Sequence, residues 1–241
     1  MKAPLLTLLL SLTILVGNSY ADKKTVRVFI ALCDNKTQGI QKVGAKIGDG
    51  NIPDANLYWG CSDGFGSFFK RSSQWKTESS EKDVTETIMR RVKLAHTAKG
   101  VEIELIADAY RGSEMQRCIQ DFESAAAGGE YDLVAFIGHN GLMDHAIKPP
   151  ARTDGNDTDV IVLCCLSERY FGDRLRALGC RPILTTRQLM YPGSFLLHDA
   201  IESWRTGGSL GDIRAAAGRS YARNQKISAR AGTGIFADLD E

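Results

Sequence analysis

The sequence lacks the surplus of one charge that proteins binding nucleic acid or anionic membranes carry. Its 241 residues include 30 Lys and Arg against 29 Asp and Glu, a formal net charge of +1. It also lacks both the G-x-x-x-x-G-K-[ST] phosphate loop and the G-x-G-x-x-G dinucleotide turn. We therefore expect no nucleic-acid partner, no nucleotide and no other cofactor.

Cysteine is too scarce for a small disulfide scaffold. The chain has six cysteines, no C-x-x-C and no Cys/His cluster with the spacing of zinc ligands, so we expect no structural metal. In an oxidising compartment some of these thiols could still pair, for example Cys33 with Cys61, but spacing does not determine connectivity.

No apolar run reaches the ~20 residues that a membrane-spanning helix needs. The longest, "LLTLLLSLTILV", follows Lys2 and precedes the small residues Ser19 and Ala21, which is typical of a secretory signal peptide. We predict that residues 1–21 are a signal peptide cleaved near Ala21. Residues 22–241 are then one domain, periplasmic or secreted, without a membrane anchor.

Apolar runs alternate with helical patterns along the remaining chain. Most of the predicted strands are continuously apolar, which is typical of a parallel sheet covered on both faces. The sequence thus predicts a three-layer α/β/α sandwich with a mostly parallel central sheet. The predicted strands are 25–32, 101–110, 131–138, 159–164 and 181–186, and the predicted helices are 79–100, 112–129, 167–179 (with Ser167 as N-cap), 194–205 and 209–226.

Two consecutive predicted strands end in residues that can perform chemistry. "YDLVAFIGHNG" runs into His139, and "DVIVLCCLS" runs into Cys164 and Cys165. The carboxyl ends of parallel strands meet at one edge of a sheet, where ligands bind. A neighbouring imidazole can accept the thiol proton and later protonate a leaving amine.

Structural roles for these residues remain open at this point. Cysteine is among the residue types most often buried, and a loop histidine can simply bond to backbone. His145, also on a loop, could replace His139. Between the first strand and the aromatic segment lies "CDNKTQGIQKVGAKIGDGNIPDAN", a polar, glycine-rich passage whose length favours a functional loop.

The motifs "FIGHNG" and "VLCCLS" resemble the active-site signature of the caspase, legumain and gingipain class of cysteine peptidases (clan CD). "CRPILTT", "FLLHDAIESW" and "RTGGSLGDIRAAAGRSYA" are similar to the ending of CHAT-type caspase relatives. The resemblance covers roughly residues 101–225. It implies a caspase-hemoglobinase-like fold and hydrolysis of peptide or protein substrates through a Cys–His dyad.

Carried onto this chain, the resemblance implies that Cys165 is the nucleophile and His139 the general acid/base. The class has glycine directly after the histidine, whereas this chain has Asn140, so Gly138 or Gly141 would supply the oxyanion-binding N–H. Substrate-binding positions implied by the resemblance or by loop position are Asp34, which would select Arg or Lys, Ser167 and Arg187.

Each of these three positions also has a structural alternative, which for Ser167 is the N-cap of the predicted helix 167–179. Asp34 fits a turn or cap, and the loop that carries Arg187 and Tyr191 fits ordinary packing. Two other functions also compete with the peptidase. One is an inactive caspase-like binding or scaffold module, and the other is a flavodoxin-like domain that binds a small molecule.

Overall fold

A seven-stranded mixed sheet lies at the centre of the protein, for which a computed structural model describes residues 22–98 and 101–240. Within these ranges no helix combines the length and apolar character needed to cross a bilayer. The predicted signal peptide, residues 1–21, lies outside the described residues. The strands are β1 (Asp22–Ala31), β2 (Lys76–Lys82), β3 (Ile88–Ala98), β4 (Val101–Tyr110), β5 (Leu133–Ile137), β6 (Asp159–Leu163) and β7 (Arg181–Leu184).

The strand order across the sheet is β2-β3-β4-β1-β5-β6-β7. From β4 to β7 every neighbouring pair is parallel, whereas β2 and β3 add an antiparallel hairpin beyond β4. The mostly parallel sheet predicted from the continuous apolar runs is therefore confirmed. All residues of β5 and β6 are buried, as expected for strands covered on both faces.

Helices cover both faces of the sheet. Val28 and Ile30 of β1 face a core shared with α1, α4 and α5, while Phe29 and Ala31 face a second core shared with α2 and α3. This alternation confirms the predicted three-layer α/β/α arrangement. The helices are α1 (Phe65–Arg71), α2 (Met115–Gly128), α3 (Asp173–Ala177), α4 (Phe195–Arg205), α5 (Leu210–Gln225) and α6 (Ala229–Thr233).

The helix predicted over residues 79–100 is wrong, because this segment contributes β2 and β3. Apolar residues at helical spacing suggested the helix, but Leu94 and His96 are buried at the two-residue spacing of a strand. Pairing of β3 with β4 along ten residue pairs overrides the local helical preference. Strand β2 is charged and largely exposed, which disfavours edge-to-edge association.

Ser167 occupies the predicted N-cap position, but its side chain makes no capping hydrogen bond. Ser167 has helical backbone angles, and its hydroxyl donates to the carbonyl of Val162 at 2.8 Å instead of capping a helix. A π-helical turn (Glu168–Gly172) follows, and α3 begins only at Asp173. Two predicted helix boundaries are confirmed. Helix α2 ends before Gly129, whose φ is 71°, and α5 begins after Ser209, which forms a capping box with Asp212.

A buried ion cluster joins the hairpin to the parallel part of the sheet. Asp108, whose side chain is fully buried, accepts two hydrogen bonds of 2.7 Å from Arg91 and another from Arg27. Because Arg27 is itself nearly buried, removing the carboxylate would leave a buried guanidinium without its counterion. We expect Asp108→Ala to lower the free energy of unfolding by about 3–5 kcal/mol.

Urea denaturation measures this change, with Glu104→Ala as the matched control. Glu104 lies on the same strand and pairs with Lys23 at 2.8 Å, but both side chains are well exposed. Its removal should leave the denaturation midpoint nearly unchanged. Equal midpoints for the two variants would contradict the importance assigned to the buried cluster.

Candidate active site

A cleft of about 590 Å³ opens at the carboxyl edge of the parallel strands. Its walls include Cys33 after β1, His139 after β5, Cys165 after β6 and Met190 after β7. Strands β4 and β5 flank β1 on opposite sides, so the chain changes direction here, which is where ligands bind in open α/β sheets. The two residues predicted to perform chemistry therefore line one cavity.

His139 is held in place by a carboxylate from the loop that follows it. Its Nε2 lies 2.6 Å from Oδ2 of Asp144, and the same oxygen accepts from the Gly39 N–H at 3.0 Å. Burial raises the pKa of Asp144, but the bonds from Gly39 and His139 outweigh it and lower the pKa below its usual value. The carboxylate is thus ionised at neutral pH, and Nδ1 is the imidazole nitrogen left for a reaction.

Cys165 is presented by a sharp turn at the end of β6. The next residue, Leu166, has φ of 54°, a left-handed conformation that costs a residue with a side chain ~1 kcal/mol or more. The bond from the Leu166 N–H to the carbonyl of Gln188, at 3.0 Å, supports this turn. The Cys165 side chain is half-buried, and its sulfur lies 3.3 Å from the Met190 nitrogen and 3.5 Å from the Met190 oxygen.

Cys164 is separated from the cleft. It is fully buried in the core beneath α2 and α3, and burial raises its pKa well above the ordinary value. Burial likewise raises the pKa of the other four cysteines, to about 11 for Cys180 and about 12 for Cys33. All six cysteines are free thiols, so the Cys33–Cys61 disulfide considered from the sequence is not formed.

Asn140, at the position where the peptidase class has glycine, connects the two reactive loops. Its side-chain amide donates to the carbonyl of Cys165 at 2.7 Å, and its Oδ1 accepts from Leu142. The Asn140 side chain therefore fixes the loop after β5 against the loop after β6. This contact suggests that asparagine at this position supports the arrangement of His139 and Cys165.

The two glycines expected to bind an oxyanion have N–H groups that are already occupied. Gly138 donates to the carbonyl of Leu163 at 3.3 Å, and Gly141 donates to that of His139 at 3.0 Å. Across the described ranges, the N–H groups of Asn140 and Cys165 donate to no protein acceptor. Of these two residues only Cys165 lines the cleft, because Asn140 is fully buried, so the Cys165 N–H is the donor without a partner at the cleft.

The predicted substrate-binding residues lie outside the cleft. Asp34 is buried and accepts from the Lys36 N–H at 2.8 Å, so it takes the turn-forming role considered as its alternative. Ser167 is buried against Val162 and Thr186. Arg187 is exposed and donates to the carbonyl of Gly234 at 3.0 Å.

Two residues that position the pair carried no signal in the sequence. Asp144 contacts His139 and Met190 contacts Cys165, but each lies in a loop without periodicity or motif. Of the two, only Met190 lines the cleft. The long polar passage after β1 was a usable signal, since its length pointed to function, and it provides Ile40 and Val43 to the cleft wall. His145, the alternative histidine, does not line this cleft.

Comparison with known proteins gave no family assignment. No protein-family model, no curated protein and no solved structure matches the chain.

Proposed function

We propose that this protein is an exported caspase-like cysteine peptidase that hydrolyses peptide bonds with Cys165 and His139. The observation that carries the proposal is the cleft itself. A partly exposed thiol and an imidazole anchored by a carboxylate line the same cavity, at the sheet edge where two adjacent parallel strands end. The resemblance of "FIGHNG" and "VLCCLS" to the clan CD signature supports the same roles.

In the proposed reaction, His139 takes the proton of Cys165 through Nδ1. The sulfur attacks the peptide carbonyl, and a C–S bond forms as the carbonyl oxygen becomes an oxyanion. The C–N bond then breaks, and the imidazolium gives its proton to the departing amine. Water, deprotonated by His139, hydrolyses the thioester and restores the thiol.

Two features of the cleft fit the electrostatic needs of this reaction. The N–H group of Cys165, which lines the cleft, has no protein acceptor in the described structure and can donate to the oxyanion. The Asp144 carboxylate stabilises the imidazolium that forms when His139 takes a proton. The sulfur bonds to Met190 in this conformation; catalytic hydrogen bonds in substrate-free enzymes often tighten only when substrate binds.

A small-molecule-binding domain is the second candidate, and the sheet topology favours it. The five parallel strands, taken in chain order, have the spatial order 2-1-3-4-5 that flavodoxin-like domains share. In such domains the first strand leads into a helix whose N-terminus binds phosphate. Here no α-helix occurs between β1 and Phe65, so the described loop offers no such site.

An inactive module of the same fold is separated from the peptidase by thiol alkylation. In a Cys61→Ser background, which removes the other half-buried thiol, we expect iodoacetamide to modify Cys165 first. The remaining thiols have pKa values raised by burial; at a pKa near 11 the thiolate is roughly 100-fold scarcer than in an ordinary cysteine. Peptide mass spectrometry after timed quenching measures the rates.

Loss of peptide hydrolysis should follow Cys165 modification in proportion. His139→Ala is the control, because it removes the base and should slow the alkylation of Cys165 at neutral pH without changing the other thiols. If Cys165 reacts no faster than the buried cysteines, the peptidase proposal fails and the binding module becomes the better description.

A further inference from the structure

The wall of the cleft beside Cys165 is apolar and continuous with the hydrophobic core. Ile40, Val43, Leu57 and Met190 line it and pack against the core that underlies α4 and α5. Tyr191 and Tyr221 also line this wall. A volume of about 590 Å³ is within the range of sites that enclose a ligand group.

Charged side chains are missing from this wall. No Asp, Glu, Lys or Arg from the described ranges lines the cleft. Asp34, the residue expected to select basic substrates, is buried in its own turn, and Asp144 is engaged by His139 and Gly39. Asp63 lies behind the wall residue Tyr191, where its carboxylate is engaged by the Tyr191 and Asn224 side chains, and it does not itself line the cleft. A buried ammonium, guanidinium or carboxylate of a substrate would find no counterion here.

The mouth of the cleft is also apolar. Leu189 is 68% exposed and Met143 is 41% exposed, and both line the cleft. Only four large hydrophobic residues are this exposed in the described part of the chain, so two of the four border this one opening. Exposed apolar side chains beside a site are typical of surfaces that bind apolar partners.

We propose that the cleft binds a large apolar side chain of the residue whose carbonyl Cys165 attacks (P1), so that cleavage follows Leu, Met or Phe. This inference rests on the proposed peptidase function and adds its substrate class. It replaces the preference for Arg or Lys that the resemblance implied through Asp34. Leu189 and Met143 then contact substrate residues next to P1.

The preference follows from desolvation. An apolar side chain gains by leaving water, whereas a charged side chain loses its hydration and finds no partner on this wall. Hydrophobic pockets discriminate by 10–200-fold for a single methylene, so an unpaired charge should be rejected at least as strongly. We therefore expect kcat/KM to be ~100-fold or more higher for P1 Leu than for P1 Arg or P1 Asp.

Fluorogenic peptides that differ only at P1 test this expectation. Leu, Met and Phe at P1 should be cleaved, with Arg, Lys and Asp cleaved ~100-fold more slowly or not at all. Cleavage after Arg or Asp at rates equal to Leu overturns the inference while leaving the peptidase proposal intact.

A designed charge in the wall gives a second test. Val43 lines the cleft, and its backbone is held by the Asn35 side chain through bonds that a substitution preserves. Val43→Asp should lower kcat/KM for P1 Leu ~10-fold or more and raise it for P1 Arg. Ile52→Asp adds the same carboxylate at an exposed apolar residue outside the cleft and should not change selectivity. An unchanged Leu/Arg ratio in Val43→Asp overturns the assignment of this wall to P1.

Binding separates failure of this inference from failure of the proposed function. Peptides ending in Leu or in Arg at the P1 position can be titrated calorimetrically into the full chain carrying Cys165→Ala. Tighter binding of the Leu peptide supports the apolar pocket even if the wild type hydrolyses nothing, which would count only against the peptidase. Equal binding, or tighter binding of the Arg peptide, overturns the pocket assignment.

Discussion

Cys165→Ala should reduce peptide hydrolysis by at least ~10⁴-fold, because the substitution removes the only atom that can form the thioester. The substrate cleft should remain intact, since the Cys165 side chain contacts only the Met190 backbone through hydrogen bonds. KM or peptide affinity should therefore stay within a few-fold of wild type. Hydrolysis of a P1 Leu fluorogenic peptide, with the melting temperature as a folding check, measures the effect.

Cys164→Ala is the matched control, one residue away in the chain. Cys164 is fully buried, and its pKa is raised by burial and by the neighbouring Cys165. Its truncation removes one core atom and should lower the free energy of unfolding by about 1 kcal/mol while retaining hydrolysis. If Cys164→Ala were inactive and Cys165→Ala active, the assignment of the nucleophile would be wrong.

Asp144→Asn should lower kcat by ~10²–10⁴-fold, the range that general acid–base catalysis contributes. The neutral amide keeps an oxygen that can accept from the Gly39 N–H and from His139, but it loses the negative charge that stabilises an imidazolium. Because Asp144 acts through His139 and does not line the cleft, KM should change little. Steady-state kinetics on the preferred peptide separate the two constants.

Asp154→Asn, in the same connection between β5 and β6, is the control for Asp144→Asn. Asp154 is exposed and should tolerate the change without loss of activity. Asp144→Glu should recover part of kcat, since it restores the negative charge. A proportional rise in KM, or a variant that simply unfolds, would indicate that Asp144 serves the loop rather than the reaction.

Asp144 also links stability to pH. The pKa of Asp144 is lowered in the folded protein, so the ionised carboxylate contributes to the free energy of unfolding. This contribution is fully present above the unfolded-state pKa of ~3.9 and is lost as the pH falls through the folded-state pKa. The melting temperatures of wild type and Asp144→Asn should therefore approach each other as the pH falls below about 4. A difference that did not shrink at all as the pH falls below 4 would exclude the charge as its source.

Local sequence was sufficient for the parts of the fold whose burial is uniform. Strands β5 and β6 are buried at every position, so their apolar runs identify them without tertiary information. The predicted end of α2 at Gly129 and the predicted start of α5 near residue 209 follow from backbone chemistry within a few residues. The hairpin β2–β3 could not be identified in this way, because its charged residues fit either a helix or an exposed edge strand.

The candidate site also has some features that follow from local sequence and others that depend on tertiary contacts. That a histidine and a cysteine end adjacent strands follows from sequence alone, since parallel strands bring their carboxyl ends to one edge. Which cysteine faces the cleft depends on the turn at Leu166, and the partner of His139 depends on how the loop after β5 folds back toward Gly39. Asp34 was selected through the resemblance alone; in the structure its carboxylate accepts from the backbone of its own turn and does not line the cleft.

By itself, the sequence determined the layered α/β class, the buried strands and the histidine and cysteine at their ends, because hydrophobic periodicity and strand direction are local properties. Only the tertiary structure decided that Asp144 anchors His139, that Cys164 is sealed in the core, and that the cleft wall carries no charge. These features depend on contacts between loops far apart in the chain, such as Gly39 with Asp144 and Cys165 with Met190. Loop conformations are set by such long-range contacts rather than by the residues within the loop.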